Sequence, residues 1–550
     1  MKKNKIFSLL AAASLLITVP SCTDLDERVF DKLPAETFGS TDVEVNALVG
    51  TCYNTLKRLT GDEFNTSEAS GSCMIHPTRI GGDWYDGGQY EQLFMHTYSS
   101  QTQALRNSWN HAMEAIGTCN ANIKVVEAST MADAAQKAAE IRGIRAYWYY
   151  LLCDFFGNVP MVIDYDDKEL PTNSTRQQVF DFVVSELNSI IPSLPESSHD
   201  NYGKFTKGAG YTLLAKMYLN AEAWGVSASN AYSEVIKNCE NVYQGDYILE
   251  PVWKDNFKVD NETSKEAIFS AQYKNTDTSY KNTDTSYTRN QHFRTLGYVD
   301  NKALNIKASG WNGYCAQPDY VRLFADDDPR KEGSFLMGIM YDLTVTPPVP
   351  LLTEKGNYIM DHSIEVYPLD GTEYDNCEWR AVNQHDGARM GKWDFETGLS
   401  SAMENDFHIF RLADVYLMEA EAILRGGSGN SHPAEWFVNQ VRDRAYPGHS
   451  YTSVTLDEVQ LERRLELAWE ITSRQDDIRF GCYDKDMWSM FRANVSHEVD
   501  PTTGFPKSIN GNKYNWNRPK DEYLKLFPIP LTAWQTNPNL VQNPGYPAFN

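Results

Sequence analysis

The sequence predicts a mostly α-helical fold in which paired helices with short turns form a helical-repeat scaffold. Apolar residues recur at helical spacing through the first half of the chain and again near its end. Several of these stretches begin at a threonine that is followed three residues later by Glu or Gln, the pattern of a capping box. Between them, residues 249–404 lose helical period and become rich in Asn, Asp, Thr, Tyr, Gly and Pro.

Three helices are predicted in the first 160 residues. The first begins after Thr41, because Glu44 completes a capping box. The second covers residues 105–127, and the third ends at Gly157, just ahead of a proline. The third has the clearest apolar stripe, formed by Ile141, Ile144, Trp148, Leu151 and Phe155.

Further helices follow on both sides of the loop-rich region. Thr175 and Gln178 form a second capping box, and apolar spacing indicates helices near residues 211–221 and 232–243. After the loop-rich region, a stripe that begins at Ile409 ends at two glycines. A third capping box, Thr455 with Glu458, begins one more predicted helix, which extends to Ala468.

The loop-rich region is predicted to hold long loops and a few short strands. It contains one local duplication, because residues 274–280 read K-N-T-D-T-S-Y and residues 281–287 repeat them. A repeated polar heptapeptide indicates an elongated surface loop.

The first residues of the chain have the pattern of a lipoprotein signal peptide. A basic start is followed by an apolar run that ends at Pro20, and the small residue Ser21 precedes Cys22. Residues 1–21 are therefore predicted to be removed, with Cys22 lipidated as the new N-terminus and residues 22–40 forming a tether. The alternative is a secreted protein whose Cys22 is never acylated.

Composition limits the partners of the remaining body, residues 41–550. The full chain has a net charge of −24, and three of its lysines lie in the signal peptide, so the body is strongly acidic. This charge disfavours binding to nucleic acid or to anionic lipid and favours neutral molecules, cations or proteins. No linker interrupts the body, so one compact unit is expected: helical scaffold at 41–248 and 405–475, insertion at 249–404 and C-terminal segment at 476–550. The 31 Tyr and 13 Trp are more than a hydrophobic core needs, and such residues suit partly solvent-exposed binding surfaces.

Nine cysteines show no metal or disulfide pattern. Apart from Cys22 they are widely and irregularly spaced, and no C-x-x-C occurs. Several lie on helical apolar stripes, which predicts buried free thiols. One or two disulfide bonds stay open as an alternative for a chain outside the cytoplasm.

Four stretches resemble the motifs of the SusD/RagB-like outer-membrane lipoproteins. Residues 139–160 contain A-E-I-R-G-I-R-A-Y-W-Y-Y and then D-F-F-G-N-V-P, and residues 411–422 read R-L-A-D-V-Y-L-M-E-A-E-A. Residues 462–481 contain E-R-R-L-E-L-A and D-I-R-F-G. Residues 526–546 contain L-F-P-I-P and N-P-N-L-V-Q-N-P-G-Y. With the lipoprotein signal, the resemblance extends from Cys22 to Tyr546 and is weakest in residues 249–404.

This resemblance implies a tetratricopeptide-like superhelix with loops and small β elements packed on it. It also implies a surface lipoprotein that binds oligosaccharides or polysaccharides without cleaving them and passes them to a SusC-like TonB-dependent transporter. The acidic residues 23–27 are similar to the surface-export signal of Bacteroidota lipoproteins, the alternative being a solvated tether. Some members of the family handle peptides, so a peptide-capturing lid or an adhesin is the competing interpretation.

Two loop segments carry the candidate glycan-binding residues. A sugar ring offers an apolar face to an aromatic side chain and hydroxyl groups to amides, carboxylates or Arg. Aromatic residues flanked by glycines on irregular loops are expected to be exposed. The candidates are Arg79, Asp83, Trp84, Tyr85 and Tyr90 in the first segment and Trp311, Asn312 and Tyr314 in the second. Tyr298 is a further candidate outside the two segments.

Charged residues inside the family-like motifs are interpreted as scaffold. Their spacing is typical of ion pairs within or between helices, and the residues concerned are Arg142, Arg145, Arg463, Arg464 and Glu466. The sequence shows no motif for a nucleophile, a catalytic metal or a phosphate-binding loop. We therefore predict a binding protein with no catalytic residues, cofactor or metal, and interpret residues 326–328 as a solvated turn.

Overall fold

The computed structural model describes residues 39, 41–61, 64, 67–68, 71–77, 89–273, 289–307, 309–352, 359–364, 387–399, 402–490 and 513–549. Several predictions lie outside these residues: the lipidation of Cys22, the contacts of Arg79, Asp83, Trp84 and Tyr85, and the repeated heptapeptide.

Long helices make up the scaffold, and the predicted mostly helical, tetratricopeptide-like fold is confirmed. They are α1 (Asp42–Thr55), α2 (Gln103–Ala128), α3 (Ala134–Phe155), α4 (Arg176–Ile190), α5 (Lys207–Asn220), α6 (Ala231–Val242), α7 (Leu412–Leu424), α8 (Ala434–Ala445) and α9 (Leu456–Leu467). Each of them packs against the next, and α6 packs directly on α7. The chain therefore leaves the helical stack after α6, forms the loop-rich region and returns at α7.

The predicted capping boxes form at α1, α4 and α9. Thr41, Thr175 and Thr455 each accept a hydrogen bond from the backbone three residues on, while Glu44, Gln178 and Glu458 accept from the threonine backbone. These reciprocal bonds satisfy two N–H groups that a helix start would otherwise leave open. Helix starts were therefore predictable to the residue at these three places.

Helix α3 lies at the centre of the molecule, where α1, α2, α4 and α5 pack around it. Trp148 on this helix is fully buried, contacts the ring of Phe64 at a centroid distance of 5.3 Å, and donates from Nε1 to Thr55 Oγ1 at 3.0 Å. Trp109 and Trp469 are buried as well.

Short elements fill the remainder. The short α-helices are Arg58–Gly61, Gln89–Phe94, Gln291–Thr295, Asp300–Ala303, Pro318–Val321, Pro329–Ser334, Ser473–Arg479 and Leu531–Thr536. The strands are β1 (Ile75–Pro77), β2 (Ala267–Ala271), β3 (Tyr314–Ala316), β4 (Phe335–Leu336), β5 (Gly338–Ile339), β6 (Tyr341–Asp342), β7 (Val349–Pro350), β8 (Asp361–His362), β9 (Arg389–Met390), β10 (Phe407–Arg411), β11 (Met487–Met490) and β12 (Lys513–Trp516). They pair as two-stranded antiparallel ladders.

Three local predictions are corrected by the structure. Ile409 belongs to strand β10, which pairs with β2, and α7 begins only at Leu412. The predicted helix began too early because the apolar spacings of a strand and of a helix coincide over a few residues. Helix α8 has no capping side chain and was not predicted. Asp328 is buried, not solvated, and caps the helix Pro329–Ser334.

The scaffold interpretation of the motif charges is confirmed. Glu186 on α4 accepts from Arg142 Nη2 at 2.7 Å and from Arg145 Nη2 at 2.6 Å, which joins α3 to α4. Arg463 binds Asp414 at 2.9 Å and Asp476 at 2.8 Å, and Arg464 binds Asp477 at 2.9 Å.

A second set of buried charges attaches the loop-rich region to the scaffold. Arg411 donates to Glu266 and Glu466 at 2.7 Å and to Glu470 at 2.6 Å. Arg444 on α8 donates to the same Glu266 and Glu466 at 2.7 and 2.6 Å. Burial alone would raise the pKa of Glu266, but the two guanidinium groups outweigh it and lower that pKa to about 2.

Candidate functional site

Antiparallel pairing of β1 with β3 brings the two predicted loop segments together. Ile75 lies opposite Ala316, and Pro77 lies opposite Tyr314. The first segment begins immediately after Pro77, and the second ends where β3 begins. The rings of Tyr90 and Tyr314 meet edge to face at a centroid distance of 5.5 Å. Two candidate clusters more than 200 residues apart in sequence thus become neighbours.

Backbone hydrogen bonds fix the second segment onto the short helix Gln291–Thr295. The Trp311 N–H donates to the Phe293 carbonyl at 2.6 Å, and the Gly313 N–H donates to the Arg294 carbonyl at 2.7 Å. Gly310 passes so close to the Leu296 carbonyl that a Cβ atom would lie 2.2 Å from its oxygen. A side chain at this position would push the segment off the helix, so glycine is required here.

Asn312 is a structural residue of this segment. Its backbone lies in the left-handed region with φ of 52°, a conformation that Asn adopts more readily than most residues. Its side chain is fully buried, and Oδ1 accepts from Arg389 Nη1 at 2.7 Å. The same Arg389 nitrogen donates to the Thr295 carbonyl at 2.7 Å, which ties the segment to β9.

The expected exposure of these candidates is wrong for three residues. Tyr90, Asn312 and Tyr314 are buried, so their rings or amides pack inside the protein. For Tyr314 the physical reason is the β1–β3 ladder, which makes a supposed loop residue part of a covered strand pair. Tyr90 lies on the short helix Gln89–Phe94 with its ring against Tyr314, and the Asn312 amide binds the buried Arg389. Trp311 and Tyr298 are half-buried, and each keeps part of its side chain at the surface.

Trp311 rests on side chains that the sequence did not single out. Its ring stacks on Phe293 at a centroid distance of 5.7 Å and an interplanar angle of 28°. The guanidinium carbon of Arg294 lies 5.4 Å from the Trp311 centroid. Neither Phe293 nor Arg294 belongs to a periodic or glycine-flanked pattern, so no sequence signal could have identified them.

Tyr298 lies on a turn that is held by a buried contact between Asp300 and His362. Asp300 accepts from the Gly297 N–H at 2.7 Å and contacts His362 Nε2 at 3.0 Å. Burial opposes ionisation of Asp300, but the His362 ring outweighs it and lowers the Asp300 pKa. Because His362 belongs to β8, this contact fixes the turn that carries Tyr298 to that strand.

A separate cleft of about 430 Å³ lies where the start of α5 meets the end of α6. It is lined by one aromatic ring, Tyr211, and by polar side chains that include Lys207, Asn241, Gln244 and Asp246. The Tyr211 ring and the Asn241 amide are partly exposed. The sequence placed Tyr211 on a helical stripe and gave no hint of this cleft.

The described residues contain one cluster with metal-ligating side chains. Cys73, Asp477 and Cys482 place a ligand atom each within 4.8 Å of one another. This cluster lies beside β1. Among the described residues, every helix falls short of the length or apolar character that crossing a membrane requires.

The helical stack, with a loop-rich excursion between α6 and α7, defines a class of helical-repeat proteins with a long insertion. Residues 265–546 match the model of the SusD family, and residues 29–219 match a model described as "Starch-binding associating with outer membrane". The chain belongs to the SusD family.

Named relatives agree with this assignment over most of the chain. A SusD-like protein of Bacteroides ovatus is 25% identical over 512 residues, which cover 88% of this chain and 84% of the relative. The starch-binding protein SusD of Bacteroides thetaiotaomicron is 22% identical, with 99% of both chains covered.

Solved structures share the fold. A SusD-like protein of Bacteroides fragilis superposes with a TM-score of 0.69 at 19% identity, covering 93% of this chain and 99% of the other. A surface glycan-binding protein A of Bacteroides thetaiotaomicron, solved with laminarihexaose, gives a TM-score of 0.65 at 19% identity, covering 92% and 100%.

Proposed function

We propose that this chain is a cell-surface lipoprotein that binds oligosaccharides and delivers them to a TonB-dependent outer-membrane transporter. The observation that carries the proposal is the β1–β3 pairing, which sets the partly exposed Trp311 beside the start of the segment that holds Arg79, Asp83, Trp84 and Tyr85. Relatives named for starch and laminarin binding support a carbohydrate ligand.

Residues 1–21 would direct export, and lipidated Cys22 would hold the body at the outer membrane through residues 22–40. The binding residues we propose are Trp311 and Tyr298, with the polar and aromatic residues of the first segment facing the same sugar. Aromatic rings would supply affinity, and neighbouring polar groups would orient the hydroxyls. Capture without cleavage is proposed, because delivery to a transporter requires an intact oligosaccharide.

The aromatic surface is tested by replacing Trp311 with Ala. We expect retention on starch or laminarin in affinity electrophoresis to weaken about tenfold, the loss of roughly 1 to 1.5 kcal/mol of ring stacking. Tyr211→Ala, in the separate cleft, is the matched control and should leave retention unchanged. Loss of retention in Tyr211→Ala with none in Trp311→Ala would place the binding surface on the scaffold helices instead.

Delivery and location need tests of their own. A tagged chain purified from the outer membrane in mild detergent should carry a TonB-dependent transporter with it, and protease added to intact cells should digest it. The transporter could copurify while no glycan on an array binds the chain and Trp311→Ala leaves retention unchanged. A peptide-capturing lid would then be the better interpretation. Shortened products after incubation with a bound glycan would contradict capture without cleavage.

A further inference from the structure

The cluster of Cys73, Asp477 and Cys482 joins two distant parts of the chain. Cys73 lies two residues ahead of β1, and Cys482 follows the helix Ser473–Arg479. Their sulfur atoms lie within 4.8 Å of each other. The Cys73 N–H donates to Asp477 Oδ2 at 2.6 Å, and its thiol donates to the Cys482 carbonyl at 3.4 Å. The two thiols are thus positioned by the backbone and carboxylate around them.

Arg518 holds the same two segments together from the other side. Its Nη2 donates to the Ser72 carbonyl at 3.1 Å, and its Nη1 donates to the Tyr483 carbonyl at 3.3 Å. Ser72 and Tyr483 are the chain neighbours of the two cysteines. A guanidinium that bridges both flanks keeps the two cysteine backbones next to each other.

Two chemistries fit a pair of thiols next to a carboxylate: a metal site and a disulfide bond. A divalent cation would need thiolates and an open centre. Here Arg464 Nη2 already donates to Asp477 Oδ1 at 2.9 Å and to Cys482 Sγ at 3.0 Å. Because this positive group occupies the position where a cation would bind the same two atoms, a disulfide bond is the better fit.

We propose that Cys73 and Cys482 form a disulfide bond once the chain leaves the cytoplasm, and that this bond fastens β1 to the C-terminal region. The proposal rests on the export that the proposed function requires, because disulfides persist in oxidising compartments. Its consequence concerns the glycan surface, since β1 both pairs with β3 and leads directly into the segment of Trp84.

The bond forms by exchange with an oxidised dithiol–disulfide oxidoreductase of the cell envelope. Cys482 is partly exposed and reacts first: its thiolate attacks one sulfur of the enzyme's disulfide and releases the other as a thiolate. Buried Cys73 then loses its proton, attacks Cys482 Sγ and displaces the second enzyme sulfur. Two thiols of this chain become one disulfide, and the enzyme leaves as its dithiol.

The reaction needs such a catalyst for a physical reason. Contact with the Cys73 thiol and burial raise the pKa of Cys482, while Arg464 acts in the opposite direction. The reactive thiolate is therefore scarce at neutral pH, which slows every route to the bond, so an oxidoreductase with a strongly oxidising disulfide is needed to make it form at a useful rate.

A second buried pair provides an internal control. Cys52 on α1 and Cys119 on α2 are close enough for their thiols to influence each other's ionisation, yet both are completely buried. An oxidoreductase cannot reach them in the folded chain, so they should stay reduced. Cys153 and Cys239 are likewise fully buried.

The test is peptide mapping of the full chain isolated from the cell envelope, with free thiols alkylated during lysis. We expect a peptide pair that joins Cys73 to Cys482 and is lighter by two hydrogen atoms than the separate peptides, with Cys52 and Cys119 alkylated after unfolding. Recovery of Cys73 and Cys482 in separate, alkylated peptides would overturn the proposal. It would also be overturned if both thiols resisted alkylation until a chelator was added, because that result would indicate a metal site.

A thermal measurement separates this proposal from the proposed function. A reductant should lower the melting temperature of the isolated chain by about 2 to 5 °C and leave a Cys482→Ser variant unaffected. A Cys239→Ser variant should respond to the reductant like the original chain. An equal response of Cys482→Ser would contradict the bond, whatever the glycan-binding result.

Discussion

Replacing Arg411 with Met is expected to destabilise the protein by about 3 to 5 kcal/mol, because it leaves three buried carboxylates with too few cations. Arg411 is almost fully buried and binds Glu266, Glu466 and Glu470 at the same time. Without it, Glu266 and Glu466 share Arg444, Glu466 keeps a longer contact of 3.3 Å with Arg330, and Glu470 keeps Lys392 as its partner. The loss should be measured as the change in free energy of unfolding in urea.

The matched control for Arg411→Met is Lys237→Met on α6. Lys237 pairs with Glu234 at 2.9 Å, but its side chain is 65% exposed. Because exposed pairs contribute little, this variant should change the free energy of unfolding by about 0.5 kcal/mol or less. Equal effects of the two substitutions would show that the buried cluster does not hold the loop-rich region on the scaffold.

The buried cluster illustrates what the sequence could and could not predict. The periodic helices and capping boxes depend on neighbours within a few residues, so Thr41, Thr175 and Thr455 predicted helix starts correctly. The identity of ion partners depends on the tertiary fold. Glu266 and Arg411 are 145 residues apart and meet because β2 pairs with β10.

The sequence predicted which residue types the candidate site contains better than it predicted which of them are exposed. The sequence identified two aromatic, glycine-containing segments, and the β1–β3 ladder pairs Pro77, just before the first segment, with Tyr314 at the end of the second. It could not reveal that the ladder buries Tyr314, and with it the Tyr90 ring that packs on Tyr314, because strands of three residues are too short for an alternating pattern to stand out. Trp311, three residues before the ladder begins at Tyr314, stays partly exposed.

A Glu419→Gln variant is expected to be more stable than the original chain at pH 8 by roughly 2 to 4 kcal/mol and equally stable at pH 4. Glu419 on α7 is fully buried, and neither carboxyl oxygen accepts a hydrogen bond from the described residues. Burial, together with the nearby Glu240, raises the Glu419 pKa to about 8, although Tyr243 acts in the opposite direction.

The direction of this pH dependence follows from the different Glu419 pKa values of the folded and the unfolded chain. The unfolded chain releases the Glu419 proton near its ordinary pKa of 4.5, whereas the folded chain keeps it up to about pH 8. The stabilising contribution is therefore complete below pH 4.5 and is lost as the pH rises from 4.5 to 8. Gln carries no proton to lose, so the difference between the variant and the original chain grows across that interval.

Taking this difference at each pH removes the other titrating groups from the measurement. Glu68, whose pKa burial also raises to about 8, and His292, whose pKa burial lowers to about 3, contribute equally to both proteins. Glu169→Gln, on an exposed loop, is the control and should show no difference from the original chain at either pH. A Glu419→Gln variant that is no more stable at pH 8 than at pH 4, relative to the original chain, would mean that water or a cation reaches this carboxylate in solution. The folded chain would then hold Glu419 ionised at neutral pH, and the interface between α6 and α7 would be more open than its packing indicates.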